Sequence, residues 1–119
     1  MKQQNRSKGR LAEDLAARAL RDKGYEIVER NFANKFGEID IIAKDGETWV
    51  FVEVKAKTGE MMGLPEEMIG KGKLQKVRHM AMIYLEGKTV PCRIDVVAVV
   101  FTPEGELVRL SHYENVYLP

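Results

Sequence analysis

Residues 37–57 read GEIDIIAKDGETWVFVEVKAK and decide the fold, because two strand-like segments meet there at Asp45 and Gly46. An Asp-Gly pair between two runs rich in β-branched and aromatic residues is one of the stronger short-range signals for a β-hairpin. We therefore expect strands over residues 37–44 and 48–57, paired antiparallel.

Side chains alternate along these strands and separate an apolar face from a face that carries charge. The apolar face holds Ile39, Ile41, Ala43, Val50, Val52 and Val54, and it should be buried against a helix. The other face holds Glu38, Asp40, Ile42, Trp49, Phe51, Glu53 and Lys55. If the loop has an even number of residues, Asp40 lies on the face of Glu53 and Lys55, whereas an odd loop would need a bulge.

The segment before the hairpin predicts an amphipathic helix over residues 7–23. Its apolar residues fall on one half of a helical wheel, and Gly24 is a typical C-terminal stop. Asp14 points away from the apolar half, whereas Glu13 lies at its edge and looks inward. Gly9 lies on the same side and leaves room for a backbone or a ligand. Glu13 also has an ordinary interpretation, as a glutamate at the boundary of a helix face.

The remaining segments complete an α/β pattern in the order αβββαββ. Strands are expected over residues 25–32, 93–101 and 106–110, and a second helix over about 65–86, loosened by Gly70 and Gly72. The 119 residues suffice for one domain, without an apolar run of the roughly 20 residues that span a bilayer. The basic N-terminus lacks the features of a secretory signal, so a cytoplasmic protein is expected. Cys92, the only cysteine, is expected in the core.

The net charge of +1 hides an uneven distribution. Residues 1–35 and 55–93 each carry +4, and the remainder carries −7. Basic flanks around an acidic centre suit a polyanion held beside a metal site, but solvated helix faces produce the same count.

The charged face of the hairpin suits divalent metal chemistry. Hard cations such as Mg²⁺ and Mn²⁺ bind carboxylate and carbonyl oxygens, which Asp40, Glu53 and the backbone carbonyl of Val54 could supply. Lys55 would then lie near an attacking water or a phosphate oxygen. The alternative is that these charges are salt-bridged on a solvated strand face.

The motifs GEIDIIA and VFVEVK, after a helix with an inward glutamate, resemble the PD-(D/E)xK nuclease superfamily. With RNF before them and RIDVV after, the chain is similar to the bacterial YraN family and to archaeal Holliday junction resolvases. The resemblance implies one nuclease-like domain over residues 1–119, with a restriction-endonuclease-like mixed sheet flanked by helices. It implies that Asp40 and Glu53 bind Mg²⁺ or Mn²⁺, that Glu13 assists, and that Lys55 acts on water or phosphate.

The resemblance also implies DNA as the substrate, branched or single-stranded, and a homodimer. Expected DNA contacts are Arg10, Lys57, Lys73 and Gln75. Two positions depart from the superfamily pattern: Ile39 replaces a proline, and Lys57 stands where an arginine is frequent. Two other hypotheses stay open, a non-catalytic DNA-binding module with the same fold and an interaction protein that uses its edge strands or Trp49.

Overall fold

The computed structural model describes residues 4–59 and 68–116, with side chains from residue 8 onward. The elements are α1 (Gln4–Asp22), β1 (Glu26–Asn34), β2 (Gly37–Asp45), β3 (Thr48–Thr58), α2 (Lys71–Tyr84), β4 (Cys92–Phe101) and β5 (Leu107–Tyr113). The predicted order αβββαββ is confirmed, as is the α/β class.

The five strands form one sheet in the order β1-β2-β3-β4-β5. Strands β3 and β4 are parallel, and the other neighbouring pairs are antiparallel. Parallel neighbours need a long crossover connection, and the segment that contains α2 provides it. The sheet is therefore mixed, as predicted, and strand β4, between β3 and β5, is buried from Asp95 to Phe101.

The two helices pack on opposite faces of the sheet. On one face, Ala12, Ala16 and Leu20 of α1 join a core cluster with Ile41, Ala43, Val50 and Val52. On the other face, Val77 and Met80 of α2 join Ile42 and Phe51. The Ile/Ala/Val face of the hairpin is thus buried against a helix, as expected, and the opposite face is largely buried as well.

Ile39 corrects one detail of the predicted alternation. It packs in the α2 cluster, whereas Ile41 packs in the α1 cluster, although residues two apart in a regular strand share a face. The partner strand shows where the alternation breaks: Asn31 has a positive φ of 56°, between the register pairs Arg30–Ile41 and Phe32–Ile39. The strand pair therefore changes faces at the level of Asp40.

The loop of the hairpin is even, which was the condition for placing Asp40 with Glu53. Asp45 pairs with Thr48, so Gly46 and Glu47 form a two-residue loop. Gly46 has a φ of 62°, and Glu47 is not among the residues with positive φ. This matches the primed turn that has glycine first, one residue later than the Asp-Gly turn predicted.

Two further predictions need correction. The second helix is interrupted at Gly70, as its loosening there predicted: residues 68 and 69 are helical, Gly70 has a φ of 94°, and α2 begins at Lys71 and ends at Tyr84, two residues before the predicted end. Residues 65–67 of the predicted span lie outside the described residues. Cys92 is exposed, so its placement in the core was wrong. It is the first residue of β4, before the strand enters the interior. Of the helices in residues 4–59 and 68–116, none is long and apolar enough to cross a bilayer.

Candidate active site

Asp40 and Glu53 meet where β2 and β3 separate. The register between these strands ends at Ile41–Val52, although β3 continues to Thr58. Beyond that register pair, a side chain bonds to the partner strand: Asp40 Oδ2 accepts a hydrogen bond from the backbone N–H of Val54 at 2.7 Å. The Asp40 backbone N–H in turn donates to Glu53 Oε2 at 3.4 Å. The structure thus brings together the two carboxylates that the sequence singled out.

Both carboxylates are held in surroundings that disfavour their charge. Glu53 is 2% exposed. Burial, and secondarily the negative charge of Asp40, raise the pKa of Glu53 to about 8, although Lys73 opposes the shift. Burial also raises the pKa of Asp40, while the hydrogen bond from Val54 opposes that shift. The pair therefore lacks a full counter-charge.

Lys73 is the cation nearest to this pair among the described contacts. Its Nζ lies 3.6 Å from Glu53 Oε1 and donates a hydrogen bond to the Glu38 carbonyl oxygen at 3.2 Å. The lysine side chain is 38% exposed. Helix α2 thus supplies one partly solvated positive charge beside two carboxylates. Through the bond to Glu38, the same lysine also links α2 to the start of β2.

Glu13 looks inward, as predicted, but its partners are different. Its Oε1 accepts hydrogen bonds from Arg30 Nε at 3.1 Å, Arg30 Nη2 at 2.8 Å and Asn31 Nδ2 at 3.0 Å. Asp14 accepts a further bond from Arg30 Nη2 at 2.7 Å. The charge of Glu13 contributes to the raised pKa of Asp40, but its contacts are to β1. Its prediction as a metal ligand stays a prediction.

Arg30 and Asn31 were not singled out as site residues from the sequence. The available signal was the RNF triplet, which places two polar residues at the end of an otherwise half-apolar strand. Because Arg30 bonds both Glu13 and Asp14, it joins the first helix to the strand that carries the break in alternation.

The other predicted residues lie on β3, α1 and α2. Lys55 and Lys57 follow Glu53 at two-residue steps along β3 and are partly buried. Within the described part of the chain, Lys55 makes no hydrogen bond or ion pair. Arg10 is exposed on α1, and Gln75 is exposed on α2, two residues after Lys73.

A cavity of about 890 Å³ opens beside the pair. Asp40 and Val54 line it, together with Gly9, Arg10, Glu13, Asp14, Arg30, Asn31 and Glu38. Nothing lies within 4 Å of the position that a Cβ would take at Gly9, so the room predicted there is open. Glu53 is not part of the lining and joins Asp40 through its contact with the Asp40 backbone N–H.

The donors available to a metal ion are few. Among residues 4–59 and 68–116, no three His, Cys, Asp or Glu side chains are grouped closely enough to hold a metal ion. Asp40 and Glu53, with the backbone of Val54, remain as the set that could hold one. Two carboxylates with several waters suit Mg²⁺, which dehydrates reluctantly, better than a cation that demands a full protein cage.

A second polar cluster surrounds Asp95, which is fully buried. Its carboxylate accepts hydrogen bonds from Arg93 Nε at 3.0 Å and the Asn115 backbone N–H at 2.9 Å, and it lies 2.7 Å from His112 Nε2. Burial disfavours its charge, but the bonds from His112, Asn115 and Arg93 outweigh that and lower the pKa of Asp95. The RID of RIDVV was its only signal in the sequence. This cluster is fully paired, in contrast to the Asp40–Glu53 pair.

Comparisons with known proteins agree with the motifs. The profile of a family described as "Uncharacterised protein family UPF0102" matches residues 12–99. A UPF0102 protein of Pelotomaculum thermopropionicum is 46% identical over 112 residues, which cover 92% of this chain and 93% of the relative. A UPF0102 protein of Syntrophus aciditrophicus is 44% identical and covers 90% and 87%. One of Thermotoga maritima is 42% identical and covers 90% and 94%. The chain belongs to the uncharacterised protein family UPF0102, the YraN family.

Proposed function

We propose that this protein is a Mg²⁺- or Mn²⁺-dependent phosphodiester hydrolase, an endonuclease that acts on branched or single-stranded DNA. One observation carries the proposal. Asp40 and Glu53 form an under-neutralised carboxylate pair, and Asp40 faces a cavity of about 890 Å³ that is large enough for part of a nucleotide chain. Burying two acids without full pairing destabilises a fold, so such a pair suggests a functional site.

A divalent cation fits the pair because it would supply the missing positive charge. Asp40, Glu53 and the carbonyl oxygen of Val54 would hold it. When bound, such an ion polarises a phosphoryl oxygen and lowers the pKa of a coordinated water. The pairing of Glu13 with Arg30 gives the glutamate another role in this proposal, which is to hold Arg30 at the cavity wall.

Lys73 and Lys55 have different roles in this proposal. Lys73 stabilises Glu53 and orients its carboxylate through the contact at 3.6 Å. Lys55, without a partner in the described residues and on the Glu53 side of β3, is available to a phosphate oxygen, where a positioned cation stabilises developing negative charge. Arg10 and Arg30 at the cavity wall would hold the neighbouring phosphates.

The DNA and dimer proposals follow from the polyanion site. Cations from both basic flanks lie around the acids, Arg10 and Arg30 from one and Lys73 from the other. A four-way junction presents two symmetry-related strands, which a homodimer with one site in each subunit would match.

The direct test is cleavage of junction, flap, single-stranded and duplex DNA with Mg²⁺ or Mn²⁺. The wild type should nick branched or single-stranded DNA, and Asp40→Asn and Glu53→Gln should each reduce the rate by at least about 100-fold, the usual cost of a lost transition-state contact. Glu106→Gln is the matched control, since this exposed glutamate lies in the turn before β5 and is not part of the cavity lining. Equal activity in all four proteins would identify a contaminant and reject the proposal.

A second function is favoured by a different observation. No third carboxylate joins Asp40 and Glu53 among the described residues, and Glu13 is engaged with Arg30. A non-catalytic DNA-binding module would show this arrangement. It predicts salt-dependent binding to branched DNA without cleavage in any divalent metal.

A further inference from the structure

We propose that Phe36 and His79 form a stacking platform for an unpaired nucleobase beside the Asp40–Glu53 pair. The proposal rests on the proposed function in assuming that the chain binds nucleic acid. It adds a binding site for a base, whereas the residues proposed so far would bind phosphates.

Phe36 lies at the tip of the β1–β2 turn and is 45% exposed. Its backbone N–H donates a hydrogen bond to Asn34 Oδ1 at 2.8 Å. This bond closes the turn and fixes the backbone of Phe36. A single exposed apolar side chain is ordinary on a protein surface, so exposure alone would carry nothing. The surroundings of the ring carry the argument.

A second aromatic ring and a lysine ammonium contact the Phe36 ring. The His79 ring of α2 meets Phe36 edge to face, with centroids 5.2 Å apart and planes at 89°. The Lys35 Nζ lies 5.3 Å from the Phe36 centroid. An aromatic pair beside a lysine is a combination that binds single-stranded nucleic acid, because bases stack on the rings while the cation follows the backbone.

The platform lies close to the carboxylate pair along two elements. Phe36 precedes Asp40 by four residues, which is about 13 Å at the rise of an extended strand. His79 follows Lys73 by six residues on α2, about 9 Å at 1.5 Å per residue, and Lys73 contacts both Glu38 and Glu53. A strand with a phosphate at the pair could therefore place a nearby base on Phe36.

Other exposed apolar residues do not share these properties. Leu107 and Val108 on β5 are exposed to a similar degree, 50% and 48%, but they are aliphatic and offer no ring on which a base can stack. The aromatic pair and the neighbouring lysine therefore favour a nucleobase over an apolar protein surface as the occupant of the Phe36 platform.

The test compares binding of oligothymidine with binding of an abasic strand of the same length, by fluorescence anisotropy in EDTA so that no cleavage occurs. Phe36→Leu should weaken binding of oligothymidine about 5- to 20-fold, within the range known for base–aromatic stacking. Phe36→Trp should bind as tightly as the wild type or more tightly. On the abasic strand, all three proteins should bind alike, and Leu107→Ala should match the wild type on both strands.

Three results would overturn the platform. These are an unchanged affinity of Phe36→Leu for oligothymidine, an equal loss on both strands, and a wild type that binds neither strand. Failure of the proposed function is a separate outcome: a wild type that never cleaves DNA but shows base-dependent binding through Phe36 retains the platform and loses the nuclease. Conversely, cleavage that depends on Glu53, with binding indifferent to Phe36, retains the nuclease and rejects the platform.

Discussion

Glu53 is a carboxylate in a core strand, with Phe51 before it and Val96 beside it on β4. A hydrophobic residue of similar size would pack there without the cost of desolvation. Glu53 instead has the negative charge of Asp40 beside it and only Lys73 as a partial counter-charge. Its surroundings therefore favour the protonated form in the absence of a further cation.

The raised pKa of Glu53 predicts how stability depends on pH in metal-free protein. The pKa is about 8 in the folded state and 4.5 in the reference state, so between these values the folded chain binds more protons than the unfolded chain. The stabilisation from the protonated side chain is present at low pH and is lost as the pH rises through about 8. Urea denaturation of wild type at pH values across this window should show that loss.

Glu53→Gln should remove most of this dependence, because the amide has no proton to lose. Above about pH 8, the variant should be more stable than the wild type by at least about 1 kcal/mol, since an under-paired buried charge is gone. Asp14→Asn, at an exposed carboxylate, should keep the slope of the wild type. An unchanged slope in Glu53→Gln would show that this carboxylate is not the titrating group.

Arg30 has a different role from the lysines, because its guanidinium bonds two carboxylates at once. Arg30→Ala would leave Glu13 and Asp14 next to each other without their counter-charge. Since the arginine is 31% exposed and solvent screens the pair, the expected loss of stability is only about 1–2 kcal/mol. Arg30→Lys should recover part of it, because an ammonium lacks the planar fork that bonds both acids.

Chemical denaturation measures these effects, and the double variant Arg30→Ala with Glu13→Gln completes the comparison. The double variant should be more stable than Arg30→Ala alone, since it removes the uncompensated charge. If the two losses simply add, Glu13 and Arg30 do not interact in solution.

At the scale of elements, the Asp95 cluster joins three parts of the chain. Arg93 and Asp95 begin β4, His112 belongs to β5, and Tyr25, which accepts a bond from Arg93, lies between α1 and β1. Every bond of this cluster is made inside the protein, and its carboxylate has a lowered pKa. We therefore assign it to the stability of the sheet.

Asp95→Asn should accordingly destabilise the protein by about 3 kcal/mol, because it leaves Arg93 without its buried counter-charge. Glu106→Gln, at an exposed position in the turn before β5, should change stability by less than about 0.5 kcal/mol. Thermal unfolding of the two variants beside the wild type makes the measurement. A loss at Asp95 no larger than at Glu106 would contradict the structural role.

The elements were predictable where their periodicity was regular. The wheel of α1 and the hairpin alternation placed α1, β2 and β3, and the apolar patterns of the remaining segments placed α2, β1, β4 and β5. The break at Asn31 was not predictable, since nothing in Arg-Asn-Phe requires a positive φ, and Ile39 was therefore assigned to the wrong face. The predicted placement of Cys92 in the core failed for a related reason: a strand can leave the core at its end without a change in residue type.

The candidate site divides in the same way. Asp40 and Glu53 could be paired from the sequence, because parity in an even hairpin decides which residues share a face. The contacts of Glu13 could not, since they depend on how α1 crosses β1, and that crossing is a long-range result of packing. Local sequence patterns carry no information about such long-range contacts.

At the scale of the whole molecule, the uneven charge distribution acquires a geometric meaning. The first basic flank contributes Arg10 and Arg30 at the cavity, and the second contributes Lys73 from the opposite face of the sheet. Both flanks thus reach the end of the sheet that holds Asp40 and Glu53. For Arg10, Arg30 and Lys73, this convergence favours binding of a polyanion over the interpretation as solvated helix faces. Lys71 and Lys76 are exposed on α2 and fit the solvated-face interpretation.

The central claim is that Asp40 and Glu53 form a divalent cation site, and calorimetric titration of metal-free protein with Mn²⁺ tests it without any DNA. The wild type should bind the ion with release of protons at about pH 7, and the release should diminish as the pH rises past about 8, because the raised pKa of Glu53 leaves that group largely protonated below this value. Asp40→Asn and Glu53→Gln should each weaken binding at least about 10-fold, and Glu106→Gln, outside the cavity, should bind as the wild type does. Wild-type protein that binds no Mn²⁺, or variants that bind it equally well, would contradict the account.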